Sequence, residues 1–139
     1  MQDVDFDGVV EQVLARDPRF PRDAYLFLRD ALEHTQQQVA RQAKGQLRHV
    51  TGQELLHGIR DHALDLFGPM TLTVFDEWGI HAGEDFGDMV FNLIEVGLLA
   101  KTERDTREDF RGVLDFQDAF RKPFLPASKL APKPGAPTN

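Results

Sequence analysis

The 139-residue chain contains no cysteine. Disulfides, zinc–thiolate centres and cysteine nucleophiles are therefore excluded. No apolar run approaches the roughly 18 residues that a membrane span requires. The opening decapeptide MQDVDFDGVV is acidic and lacks the apolar stretch of a secretory signal, so the expected location is the cytoplasm. Trp and Tyr occur once each, which leaves the aromatic content to 11 Phe residues and predicts a core of Phe and Leu. Positive charge is missing from the middle of the chain: Asp61 to Ala100 holds eight acidic residues and not one Lys or Arg. The net charge of −7 and the pI near 5.1 disfavour non-specific binding to nucleic acid or to anionic membranes.

What is present reads as helices. This length fits one domain, expected over 1–125, with N-terminal helices in 1–42, a core over 50–116 and a disordered Pro-rich tail over 126–139. Asp5 or Asp7 caps a first helix carrying Phe6, Val9, Val10, Val13 and Leu14, and Asp17-Pro18 ends it. A second helix starts near Pro21, with Ala24, Phe27, Leu28, Ala31, Leu32 and Val39 on one arc and Tyr25 at its margin. Its later turns, HTQQQVARQ, are polar and expected to be exposed, where they offer a surface for a second copy. Gln42 to Arg48 reads as a linker.

Thr51 with Glu54 forms the capping box of a third segment, which runs to about Phe67 with Leu55, Leu56, Ile59, Ala63, Leu66 and Phe67 on one face. Gly68-Pro69 stops it. Pro69 opens a short helix expected to turn Met70, Val74, Phe75 and Trp78 inward, and Gly79 with Ile80 closes it. Glu84 and Asp85 suit the positive end of the next helix, which buries Phe86, Met89, Val90, Leu93 and Ile94 before Gly97 ends it. Strands are expected at Leu98–Glu103 and Phe110–Leu114, flanking a charged loop. Asp115 then caps a final short helix in which Phe116 and Phe120 lie one turn apart.

The order helix, turn, helix, strand, loop, strand over Val50 to Phe116 resembles a winged-helix domain. GPMTLTVFDEWGI and DFGDMVFNLIEVGLLAKTE carry the resemblance. The expected fold is mainly α, with a winged-helix-like core of three helices plus a C-terminal β-hairpin and two additional N-terminal helices. In DNA-binding members of that class the third helix enters the major groove while Lys and Arg neutralise phosphates. Here its solvent face carries Glu84, Asp85, Asp88, Asn92 and Glu95, and its four acids repel phosphate, so the DNA-reading role is not carried over. The longer run from RHVTGQELLHGIRDHALDLFGPM through EDFGDMVFNLIEVGLLAKTERDTREDF to DFQDAFRKPF resembles a family of short uncharacterised bacterial proteins associated with planctomycetes and verrucomicrobia. That resemblance implies a bacterial, cytosolic origin and brings no functional residues with it.

Phe91 falls about 140° from Phe86 on a helical wheel, among Glu84, Asp88 and Glu95. There it either anchors a basic, apolar partner or is covered by the N-terminal helices. His57 and His62 lie five apart, the wrong spacing for a shared metal on one helix face. His81 with Glu84 and Asp85 is the only other metal candidate, and no cofactor is expected. The sequence has no phosphate loop, no nucleophile elbow and no carboxylate inside an apolar run. TERDTREDF interleaves Arg104 and Arg107 with acids and reads as a self-paired wing. The expected function is thus a non-catalytic interaction module, using the acidic third-helix face, Phe91 and the charged wing to bind a basic protein. The alternatives are a winged-helix regulator touching DNA through the wing or the basic linker Arg41, Lys44, Arg48 and His49, and a small enzyme or metal-binding protein.

Overall fold

A computed structural model describes residues 6–44, 49–99 and 106–126. Among these, 76% are helical and none is in a strand. Five α-helices carry the fold: α1 (Phe6–Arg16), α2 (Arg22–Gln42), α3 (Gly52–Phe67), α4 (Thr71–Glu77) and α5 (Gly83–Glu95). A 3₁₀ turn at Arg107–Phe110, a π-helical turn at Gln117–Arg121 and a 3₁₀ turn at Lys122–Phe124 follow. No helix among the described residues is long and apolar enough to cross a membrane.

The helix ends follow from local chemistry. At α3 the Thr51 hydroxyl accepts the Glu54 N–H at 3.1 Å and the Glu54 carboxylate accepts the Thr51 N–H at 3.0 Å. Two amides that a helix start leaves orphaned are thereby satisfied. Gly79 adopts φ 77 after α4, so that its N–H donates to the Asp76 carbonyl at 3.0 Å and that of Ile80 to Phe75 at 2.9 Å. Gly97 repeats the device after α5, at φ 83, with the Gly97 and Leu98 amides donating to Ile94 and Leu93, each at 3.0 Å. Both are Schellman closures, a conformation that glycine adopts without penalty. Pro21 caps α2 from just outside it instead of opening it.

Phe75 of α4 sits at the centre of the core. Its ring lies 5.6 Å from Phe27 of α2, 5.3 Å from Phe86 of α5, and 5.6 and 5.3 Å from Phe116 and Phe120 of the C-terminal turns. Edge-to-face contacts at such distances add to the stabilisation that burial of the rings provides. Asp115 holds the last turn in place, since its carboxylate accepts the amides of Gln117 at 2.9 Å and Asp118 at 3.3 Å.

Several expectations need correction. The segment Phe110–Leu114 is no strand: Phe110 ends a 3₁₀ turn and is buried, and the chain turns at Gly112 with φ 71. Leu98 and Leu99, the start of the other expected strand, both donate their amides to the Leu93 carbonyl, at 3.0 and 3.4 Å. Donors spent on a helix end are not available to a ladder. The rest of that strand, over 100–103, lies outside the described residues, as do 45–48 of the linker and 127–139 of the tail. Met70 points outward, 55% exposed, while Tyr25 is fully buried. The polar end of α2 is partly covered, because Thr35 and Val39 are buried against α3. The two helices approach so closely there that a Cβ on Gly58 would lie 1.8 Å from Thr35 Oγ1 and 2.9 Å from Thr35 Cβ.

Candidate functional site

The outer face of α5 is acidic in sequence but largely neutralised in space. Asp88 is gripped on both oxygens, by Arg19 and by Arg107, each at 2.7 Å. Glu95 pairs with Arg16 at 3.1 Å. Asp85 accepts the backbone amides of His81 at 2.7 Å and Ala82 at 3.2 Å, which fixes the start of the helix. Asn92 donates to Asp17 and to the Tyr25 hydroxyl, each at 3.0 Å. Glu84 alone among these carboxylates is exposed with no ion pair among the described residues. Arg104 lies outside the described residues.

Two of the three arginines that close this face, Arg16 and Arg19, come from ARDPRFPR, at the end of α1 and in the segment before α2. Arg16 and Arg19 are 79 and 69 residues from their partners, so spacing within the central stretch gives no hint of them. Exposed pairs of this kind contribute about 0–1 kcal/mol each. Their main effect here is on where charge remains available.

Beneath these pairs the Asp17–Asn92–Tyr25 network ties the α1–α2 connection to α5. Burial pushes the Asp17 carboxyl up, but hydrogen bonds from Asn92 and the Arg19 amide, with the Arg19 charge, outweigh it and hold the group below its ordinary value. A carboxyl held low in the fold contributes stability that is complete above its unfolded pKa and is lost as pH falls through the folded one. Burial pushes the Tyr25 phenol up, against the hydrogen bond from Asn92, so its contribution is complete below its unfolded pKa and is lost as pH rises through the folded value. Asn92→Ala removes one partner from both groups. The expected result is a loss of about 1–3 kcal/mol at neutral pH and an acid-unfolding midpoint moved to higher pH. Far-UV circular dichroism from neutrality into acid measures the shift, and an unchanged midpoint means that Asn92 does not hold Asp17 in solution.

Phe91 is half-buried, with the Arg107 guanidinium 4.8 Å from its ring centre. Its ring also forms part of the wall of a groove of about 230 Å³ between α2, α3, α5 and the Arg107–Phe110 turn. Leu32, Leu55, Val90, Ile94 and Phe110 make the wall mostly apolar, and Gln36, His49 and Asp109 supply polar groups. The groove owes its shape to three glycines. A Cβ on Gly87 would lie 2.8 Å from Phe110 Cγ, one on Gly52 would lie 3.0 Å from Phe110 Cε2, and one on Gly83 would lie 3.0 Å from the Phe110 carbonyl oxygen. Phe110 thus rests directly on the backbones of α3 and α5. The sequence reading missed this cradle, although Gly83 and Gly87, one turn apart on α5, were its available signal.

The His62 ring lies 5.4 Å from Phe27 and 5.6 Å from His34, and His81 Nδ1 is 3.6 Å from Asp76. A second, more polar cavity of about 240 Å³ between α2 and α3 is lined by His34, Glu54, His57 and Asp61. Among the described residues no group of three or more His, Asp or Glu side chains is placed to hold a metal ion. Compared with family models, curated proteins and solved structures, the chain matches none.

Proposed function

We propose that the chain is a non-catalytic protein-interaction module, and that it binds its partner in the groove walled by Phe91. The observation that carries this reading is the placement of Phe91 itself. Its ring is held by packing and by Arg107, yet it forms a wall of an apolar groove large enough to receive a side chain. Anchors of bound partners concentrate in such desolvated pockets. The acidic face of α5 is the weaker surface, since Asp88 and Glu95 already have arginine partners. The helical order α3–α4–α5 supports a winged-helix-like reading of the core. DNA binding is disfavoured on the same grounds as before, and Arg19 and Arg107 would have to abandon Asp88 to reach a phosphate. The net charge of −7 favours a basic partner.

Incorporation of a photo-crosslinking phenylalanine analogue at position 91 tests the reading in lysate of the native organism. Light-dependent adducts of defined mass are expected at position 91 and not with the analogue at Glu77, which is exposed on α4. Adducts at both positions alike, or at neither, remove the groove as the binding surface.

A further inference from the structure

We propose that the groove receives an aromatic side chain of the partner with a cationic residue beside it, an inference that rests on the groove being the binding surface. Size is the first argument. An apolar cavity of about 150 Å³ accommodates a benzene ring, so about 230 Å³ takes a phenyl or an indole group but not a whole helix turn of bulky residues. The second is the character of the wall. The half-buried Phe91 borders the space, with the buried Phe110 behind it beside Leu55, Val90 and Ile94, and an aromatic occupant gains edge-to-face or offset contacts with Phe91 as well as burial.

Charge decides what stands next to the ring. Asp109 is half-buried in the wall, where Oδ2 accepts the Thr106 amide at 3.0 Å. A carboxylate has further acceptor capacity beyond one hydrogen bond. Asp109 has no ion pair among the described residues, and the two cations on its own turn are taken: Arg107 by Asp88 at 2.7 Å and Arg111 by Glu108 at 3.2 Å. An ammonium or guanidinium group flanking the ring therefore meets a carboxylate that no cation among the described residues pairs with, and the overall charge of −7 adds attraction of the same sign.

The test titrates the ¹⁵N-labelled full chain, at about 150 mM salt to screen long-range charge, with acetyl-Lys-Trp-Lys-amide, its Glu-Trp-Glu counterpart and Lys-Ala-Lys. The first peptide is expected to shift the amides of Leu55, Phe91, Ile94 and Asp109 and to bind about two- to five-fold more tightly than the second, the range of an exposed ion pair. Lys-Ala-Lys is expected to leave those amides in place. Asp109→Asn keeps an oxygen for the Thr106 amide and is expected to bring the Lys-to-Glu ratio close to one while the Trp peptides still bind. Equal binding of Lys-Ala-Lys, an equal or inverted preference in the unaltered chain, or shifts confined to other surfaces would overturn the proposal. So would broadening of the groove amides with protein concentration alone that Phe124→Ala abolishes, because it assigns the groove to a second copy. Specific adducts at position 91 combined with failure of these peptides would reject the aromatic–cationic chemistry and leave the interaction surface standing. The reverse combination would leave a ligand site without a protein partner.

Discussion

Phe75→Ala is expected to lower the unfolding free energy by about 3–5 kcal/mol, the range for deleting a fully buried phenylalanine. The cost has two sources. One is the lost burial of the ring, and the other is the cavity left where α2, α5 and the C-terminal turns converge on it. Four Phe rings lie within 5.6 Å of Phe75, and each belongs to a different position in the chain. No single neighbour can move in without abandoning its own contacts, so relaxation is limited. Urea unfolding followed by circular dichroism measures the loss. Phe124→Ala, at a residue 43% exposed, serves as the reference and should stay within about 0.5 kcal/mol of the parent. Comparable losses for the two would show that the aromatic cluster is not packed around α4.

The second large effect is expected from the smallest addition. Gly58→Ala gains about 1 kcal/mol in helix propensity, but its Cβ falls 1.8 Å from Thr35 Oγ1 and 2.9 Å from Thr35 Cβ. Rotation of the hydroxyl relieves the first clash at the expense of its 2.7 Å hydrogen bond to the Ala31 carbonyl. The second clash has no such escape, because Cβ is fixed to the backbone of α2. The helices must separate along their whole contact, and a net loss of about 1–3 kcal/mol follows. Thr35→Ala in the same chain removes the hydroxyl and methyl but leaves Cβ, so it should restore only part of that loss. The coupling in the double-mutant cycle is expected between about 0.5 and 3 kcal/mol. A stabilising Gly58→Ala, or strict additivity, would show that α2 and α3 do not touch at this point.

Features written in a few neighbouring residues were legible from sequence. Thr51 with Glu54, Gly79 with Ile80, Gly97, and Asp115 before its turn all occur where their chemistry placed them, because each satisfies backbone groups within one helical turn. Features that depend on distant residues were not legible. Phe110 reads as part of a strand until Gly52, Gly83 and Gly87 are seen to form its seat. The acids of α5 read as an open face until Arg16 and Arg19 arrive from the other end of the chain. Met70 followed a helical period that began one element too early: a 3₁₀ turn occupies Gly68–Met70, and the changed phase turns its side chain outward. Of the candidate site, Phe91 was singled out by its position on the wheel, whereas the groove it borders required the tertiary fold.

The seat of Phe110 sets how the groove can respond to an occupant. A pocket wall built of long side chains yields when one of them changes rotamer. This one is a ring footed on main chain, with Gly87 and Gly52 beneath it and no room for a single added methyl. An occupant too wide for the space cannot push the ring back. It must lift the whole turn, breaking the Arg107–Asp88 pair and unstacking Arg107 from Phe91 in the same movement. The wall is a hard stop with a latch, so it should discriminate by size sharply, admitting what fits and rejecting what is slightly larger.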